Sequence, residues 1–214
     1  MKRALFVSGG WPGHEPVETS AIVATALRER GFETDEATRL EVLEDAKRLR
    51  TFDLIVPNWS MGSLPDAAER ALLDAVAAGT GIAGWHGGMG DAFRDRPSYQ
   101  FMVGGQFVAH PGDFIDYRVK LLPTPDDLLE GIDDFDLRSE QYYLHVDLTN
   151  EVVATTTFTG EHAPWVEPHV MPVAWRRRWG GGRVYYCALG HGTRDFAVPG
   201  VLELILRGLL WAAR

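Results

Sequence analysis

The first 85 residues alternate between two kinds of hydrophobic periodicity, and that alternation restricts the fold more than any other feature of the chain. Residues 3–8 (RALFVS) form an apolar run of the buried-strand type, followed by the loop GGWPGHEP. Residues 16–30 repeat apolar or small positions at Val17, Ala21, Ala24 and Leu27, one face of a helix, and Gly31 is placed to end it. Phe32 to Ala37 reads as a weaker strand, residues 41–49 as a short helix, and Leu54 to Pro57 as a third strand. Ser63 to Asp66 has the form of a capping box with Pro65 at the first helical position. The helix it opens runs to about Ala78, with Ala71, Leu72, Ala75 and Val76 inward, and Gly81 to Trp85 is a fourth strand. A βαβαβαβ order predicts an α/β fold, a parallel sheet with helices on both faces.

The second half is less regular. Residues 116–122, 151–158, 172–178 and 183–188 read as strands, the last two joined by the hairpin-like WGGG. Arg176, Arg177 and Arg178 look like an alternating strand with outward charges. An amphipathic helix over about 197–213 carries Val201, Leu204, Ile205, Leu209 and Leu210. No repeat or long linker interrupts the chain, so residues 1–214 are expected to form one domain, with 89–115 and 159–171 as long functional loops.

Composition narrows the partners. A net charge of -9 argues against nucleic acid and acidic membranes, both of which need a basic surface. No apolar run approaches a membrane span, and MKRALFVSGG reads as a first strand, too short in its apolar part for a signal peptide. The one cysteine, Cys187, excludes an intramolecular disulfide and a multi-cysteine zinc site, and a reducing cytoplasm is the simplest home.

In an open parallel sheet, ligands bind beyond the carboxyl ends of the strands. His14 follows the first strand, His86 the fourth, and His191 the strand RVYYCALG. Gly13, Gly87, Gly190 and Gly192 beside them let the backbone turn sharply and a ligand come close. Seven histidines placed at random would not favour these positions, so the three rings are expected on one rim. His110, in GGQFVAHPG, shares the glycine-rich setting and joins them. Lone loop histidines are more often solvated than functional, which fits His162 and His169, although Glu161 and Glu167 beside them keep a metal in view. His145 reads as a packed ring. Glu140, in RSEQYY, would be suited to acid–base work if buried, and would otherwise be a surface glutamate. Tyr142 lies in the same aromatic stretch. Asp195 reads first as a cap of the terminal helix and second as a partner of His191. Trp11, Trp59 and Trp85 fall at or near strand ends on this rim, where indole faces stack on sugars, though they are also common core residues. The stretch SGGWPGHE lacks G-x-G-x-x-G spacing and no G-x-x-x-x-G-K-[ST] occurs, so neither nucleotide motif is present.

Gly84-Trp85-His86-Gly87-Gly88 after a strand has the form of a nucleophile elbow. It resembles the elbow of class I glutamine amidotransferase-like folds, with histidine where those enzymes place cysteine. The wider chain resembles the ThuA-like (trehalose-utilisation) family of that superfamily. The resemblance rests on SGGWPGH with His14, the GWHGG elbow, GGQFVAH with His110, SEQYY with Glu140 and, most specifically, MPVAWRRRWGGGRVYYCALGH over 171–191. It spans nearly the whole chain. It implies a flavodoxin-like three-layer α/β/α sandwich with a mostly parallel central sheet, and a link to carbohydrate metabolism without a settled reaction.

Glutaminase chemistry does not carry over, because it needs an elbow thiolate to form a thioester. Cys187 lies inside a predicted strand, where a thiol acts as a small apolar residue. An imidazole at the elbow can move protons or bind a metal. The expectation is an enzyme, an isomerase, lyase or hydrolase, acting on a sugar or keto-sugar derivative. His86 would be the general acid/base, with His14, His191 and Glu140 sharing proton transfer, and His110, Trp11, Trp59, Trp85 and Tyr142 holding substrate. No cofactor is required by the sequence; a divalent metal on His14, His86, His110 and His191 is the variant, without an H-x-x-x-H pair on a helix. A reading of another class is a non-catalytic sugar-binding or regulatory module on a degenerate amidotransferase scaffold. The expected partner is a small carbohydrate. The apolar terminal helix could pack within the domain or across a homo-oligomer.

Overall fold

A computed structural model describes residues 1–214. In chain order the elements are β1 (Lys2–Gly10), α1 (Pro16–Glu29), β2 (Phe32–Ala37), α2 (Ala46–Leu49), β3 (Leu54–Ser60), α3 (Asp66–Ala77), β4 (Gly81–Trp85), α4 (His86–Gly90), α5 (Pro97–Val103), β5 (Gly105–Ala109), β6 (Phe114–Leu121), β7 (Phe135–Glu140), β8 (Tyr143–Val146), β9 (Glu151–Phe158), β10 (His169–Trp179), β11 (Gly182–Cys187) and α6 (Pro199–Ala212). Nine strands form one sheet in the order β2-β1-β3-β4-β11-β10-β9-β6-β7, and β5 and β8 pair separately.

The ladders from β2 to β11 are parallel, and those from β11 to β7 are antiparallel. Only β10 and β6 are reversed, so the remaining strands share one direction and their carboxyl ends share one rim. The central strands are buried on both faces, as parallel strands under helices must be: Ala4 to Val7, Leu54 to Val56 and Ile82 to Ala83 have no exposed surface. Helices α1 and α6 pack together on one face, and α2, α3 and α5 on the other. This is the α/β/α sandwich expected from the alternation. No helix is long and apolar enough to cross a membrane.

Several local expectations are corrected. Val17 and Ala21 are exposed, and the inward stripe of α1 is Thr19, Ser20, Val23, Ala24 and Leu27. The stripe is polar at its start because the Asn58 amide donates to Pro16 O, Thr19 Oγ1 and Ser20 Oγ at 2.9, 3.0 and 3.0 Å. The segment 41–49 divides into a 3₁₀ turn (Leu40–Leu43) and α2, because the Asp45 carboxylate caps Lys47 N and Arg48 N. Ser63 caps nothing: its hydroxyl donates to Asp95 at 2.8 Å, and Pro65 itself is the N-cap of α3. Residues 89–115 are not a loop, since α5 buries Tyr99, Met102 and Val103 and β5 follows. Strands β7 and β8 are additional to those expected: β7 buries a single apolar side chain, Leu137, beside Ser139 and Glu140, and β8 has only four residues. His145 is exposed on β8 rather than packed. Arg176 is not an outward charge: its side chain is 5% exposed and lies between Asp126 and Glu151, with its guanidinium over Trp211.

Candidate functional site

Strand β4 ends at Trp85, and the chain turns at once into α4, whose first residue is His86. His86 has φ +45°, a left-handed conformation that costs a non-glycine residue about 1–3 kcal/mol and must be imposed by its surroundings. The Tyr186 hydroxyl donates to the His86 carbonyl at 3.1 Å. A Cβ at Gly87 would run into the His14 ring, and one at Gly88 into the Asn58 side chain. The glycines therefore let the elbow press against the ends of β1 and β3.

The His86 ring is fixed at both nitrogens. Nδ1 is 2.9 Å from the carbonyl oxygen of Ala188, which can only accept, so Nδ1 carries the proton. In the neutral ring Nε2 is then a bare lone pair. It lies 3.1 Å from Glu140 Oε2 and 3.3 Å from His191 Nδ1, and that Nδ1 lies 3.2 Å from the same Glu140 oxygen. Tyr142 stacks on the His86 ring at 4.0 Å. His86 and Glu140 are 1% and 6% exposed.

Glu140 arrives from the far edge of the sheet. The β6–β7 hairpin joins β9 only at Lys120 and Leu121, and bends back over the rim so that the carboxyl end of β7 meets the elbow. Burial by itself would raise the Glu140 pKa; His191 and His86, in the protonated form that donates to the carboxyl, outweigh it and hold it well below its usual range. His14 ends a 3₁₀ turn after β1, with Nδ1 hydrogen-bonded to Ser60 Oγ. Its ring stands edge-on to His86 and His191 at 4.7 and 5.0 Å. Burial first, then the neighbouring His86 and His191, push the His14 pKa down to about 3, so its ring is neutral at physiological pH.

One donor atom from each of His14, His86, Glu140 and His191 lies within 4.8 Å of the others, an arrangement that could hold a metal ion. A tetrahedral cation bound at its usual distance separates its ligand atoms by about 3.3 Å, and the His86–Glu140–His191 triangle has that size. His110 stands outside this set, and Glu140 takes its place. The His110 Nε2 is 3.7 Å from the other Glu140 oxygen, Oε1, and the ring is a third exposed.

The remaining expected residues divide. Trp11 is 44% exposed and stands edge-on to His14 at 4.7 Å, at the mouth of the cluster. Trp59 is half-buried and packs against Gly9 and Gly62. Trp85 is a core residue, 1% exposed with its ring edge-on to Phe196, and offers no face to a ligand. Asp195 does not cap α6, whose N-cap is Val198 and which has no side-chain cap. Its buried carboxylate accepts from His191 N at 2.9 Å and from the Ser139 hydroxyl at 2.6 Å, tying the His191 turn to the strand that carries Glu140. Glu15 ties the same turn to the His14 loop by accepting from Thr193 N at 2.7 Å. Ser60, Ser139 and Ala188 have no sequence signature that would have found them. A cleft of about 160 Å³ between Gly13, Phe114 and Arg194 opens beside His191. Cys187 is fully buried, and burial pushes its thiol up to about 12.

The profile of the ThuA family, described as "Trehalose utilisation", matches residues 3–212. The fold is similar to that of a ThuA-like protein from Parabacteroides merdae, with a TM-score of 0.81, 16% identity, and coverage of 99% of this chain and 89% of that one. A ThuA-like protein from Bacteroides uniformis matches at TM-score 0.80 and 17% identity over 99% and 91% of the two chains. A cytoplasmic protein from Salmonella typhimurium matches at TM-score 0.68 and 14% identity over 99% and 100%. No curated protein matches the chain in sequence.

Proposed function

We propose that this chain, which belongs to the ThuA (trehalose utilisation) family, is an enzyme acting on a sugar or keto-sugar derivative at a divalent metal centre formed by His86, Glu140, His191 and His14. One observation carries the reading. Because His86 gives its Nδ1 proton to Ala188, its Nε2 lone pair faces a carboxylate oxygen and a second imidazole nitrogen at 3.1–3.3 Å. With Glu140 ionised, sharing protons would put two N–H groups against each other across 3.3 Å or two acceptors in contact; a cation satisfies all three ligand atoms at once.

A divalent cation bound there would supply Lewis-acid polarisation of a carbonyl or hydroxyl oxygen. The chain's own groups supply the rest. His110 stands between Glu140 and solvent, placed to carry a proton between substrate and water. Trp11 offers a half-open indole for the apolar face of a sugar ring beside the cluster. Strain at His86 and the clamps from Asp195 and Glu15 hold the donors in place before substrate arrives. The imidazole at the elbow and the burial of Cys187, which keeps its thiol un-ionised, speak against thioester chemistry. A single free, buried cysteine fits a reducing cytoplasm.

The test is a screen of aldo- and keto-sugar derivatives by proton NMR in D₂O, using protein loaded with zinc and the variants His110→Ala and His86→Ala. Both variants are expected to lose turnover by roughly 100-fold or more, as for removal of a general acid or base or of a ligand. Only His86→Ala also loses the metal. Turnover unchanged in His86→Ala contradicts the proposal, and sugar binding with no turnover by any derivative assigns the chain to the binding-module class instead.

A further inference from the structure

Strand β10 runs against the parallel strands, so its carboxyl end and the start of β11 lie at the rim opposite the histidine cluster. The last pairs of this hairpin are Arg177 with Val184, Arg178 with Arg183 and Trp179 with Gly182. Arg178 and Arg183 therefore stand directly opposite each other on one face, where side chains of like charge repel. The strands cannot slip to separate them. The turn is fixed on the end of α3: Gly181 N donates to Ala77 O at 2.8 Å, and a Cβ at Gly180 would run into the same carbonyl.

The carboxylates of this region leave the pair uncompensated. Asp126 and Glu151 are taken by Arg176, and Asp147 by Arg177, while neither Arg178 nor Arg183 has a carboxylate within ion-pair distance. Arg183 donates to the Trp211 carbonyl at 2.8 Å, and its guanidinium lies over the Trp211 ring at 5.6 Å. Four guanidiniums thus meet three carboxylates, in a chain whose net charge is -9. A hollow of about 310 Å³ opens here, lined by Arg176, Arg177 and Arg178 with Thr149, Glu151 and Trp211. Arg178 is exposed and Arg183 half-buried, so both can reach a ligand. Guanidinium forks match the oxygens of a carboxylate or a phosphate. A phosphate monoester carries about -1.5 to -2 charge on three acceptor oxygens, enough for two forks, whereas one carboxylate offers a single charge. The carboxylate already in the hollow, Glu151, is held by Arg176 Nη2 at 2.6 Å.

We infer that this hollow is a phosphate site, in which Arg178 and Arg183 close on one phosphate group, inorganic or a monoester, at the end of the sheet away from the metal cluster. The bound anion turns the repulsion across β10 and β11 into charge-assisted contacts to both strands. The hollow is large enough to take part of the molecule to which the phosphate is esterified. The site is independent of the metal reading, since no residue is shared.

The test is calorimetric titration of the full chain with sodium phosphate, methyl phosphate and acetate at a constant ionic strength of about 0.15 M. The protein is first freed of metal with chelator, so that phosphate cannot bind through a cation at the cluster. One saturable phosphate site per chain is expected. Arg178→Gln and Arg183→Gln should each weaken it roughly tenfold or more, the size of one lost charge-assisted contact. Arg39→Gln, at an exposed position after β2, should not. Arg178 makes no ion pair or side-chain hydrogen bond, so its variant tests the site even if Arg183→Gln, which loses the bond to Trp211, fails to fold. Phosphate should raise the urea midpoint of the wild type and leave that of Arg178→Gln unchanged. The two phosphate arms separate a monoester from the free ion by which binds more tightly, and acetate should bind at least roughly tenfold more weakly than either. Absence of a saturable phosphate site overturns the inference. So does phosphate affinity unchanged in Arg178→Gln, or acetate affinity equal to that of phosphate.

Discussion

Two groups of buried ionisable side chains sit on one sheet and are balanced in opposite ways. On β10, Arg176 donates to Asp126 and Glu151 at 2.6 Å each, and Arg177 meets Asp147 at 3.2 Å and Asn150 Oδ1 at 3.0 Å. Each guanidinium has its counter-charge, and the carboxylates Asp126 and Glu151 remain about half exposed, although Nε of both arginines stays without a partner. At the rim, a single carboxylate faces the rings of His86 and His191 with His14 close by, and no protein cation such as lysine or arginine completes the set. Burial of charge does not by itself mark a functional site, because structural ion pairs bury charge too. What distinguishes the rim is its chemistry: imidazole nitrogens and a carboxylate oxygen converge there, groups that can ligate a cation, which a guanidinium cannot.

The contrast can be attacked at both ends. The largest effect is expected from His86→Ala: zinc affinity of tag-free protein, measured by competition with a chromogenic chelator, should fall roughly 100-fold or more, because one of three close donors is gone. Asp195→Asn should cost roughly tenfold in the same assay, since it loosens the turn that holds His191 without removing a donor. Asp195→Glu should recover less than half of that loss, because the longer carboxylate cannot meet both His191 N and Ser139 Oγ. Arg176→Met should leave zinc affinity unchanged and cost about 2–3 kcal/mol in urea unfolding, through lost charge-assisted hydrogen bonds. If Arg176→Met changed metal binding and His86→Ala did not, the distinction between the two groups would collapse. The smallest effect concerns Cys187: with its thiol pushed up to about 12, native protein at pH 8 should resist iodoacetamide and keep its zinc affinity, and rapid alkylation with loss of metal would contradict the assignment of Cys187 to the core.

Much of this organisation is legible in the residues themselves. The alternation through Trp85 predicts the parallel half, and the histidines after the ends of β1, β4 and β11 predict a shared rim, because parallel strands place their carboxyl ends together. The elbow is legible in GWHGG, and the left-handed backbone at His86 bears out its geometry. The donor set is less so. His110 and Glu140 both looked like candidates, and only the path of the β6–β7 hairpin back over the rim puts Glu140 among the rings and leaves His110 at the edge. Trp85 was unreadable for a different reason: every residue of β4 is buried, so alternation carries no information about which face meets a ligand. Arg176 misled because its partners, Asp126 and Glu151, lie far away in sequence and are brought over the strand by tertiary structure alone.

The central claim is that the converging donors of His86, Glu140, His191 and His14 hold a divalent cation. Calorimetric titration of chelator-treated, tag-free protein with zinc measures it directly. The account predicts one tight site per chain in the wild type, lost in Glu140→Gln while Arg176→Met retains it. A wild-type chain with no tight site, or a tight site that survives Glu140→Gln unchanged, would contradict it.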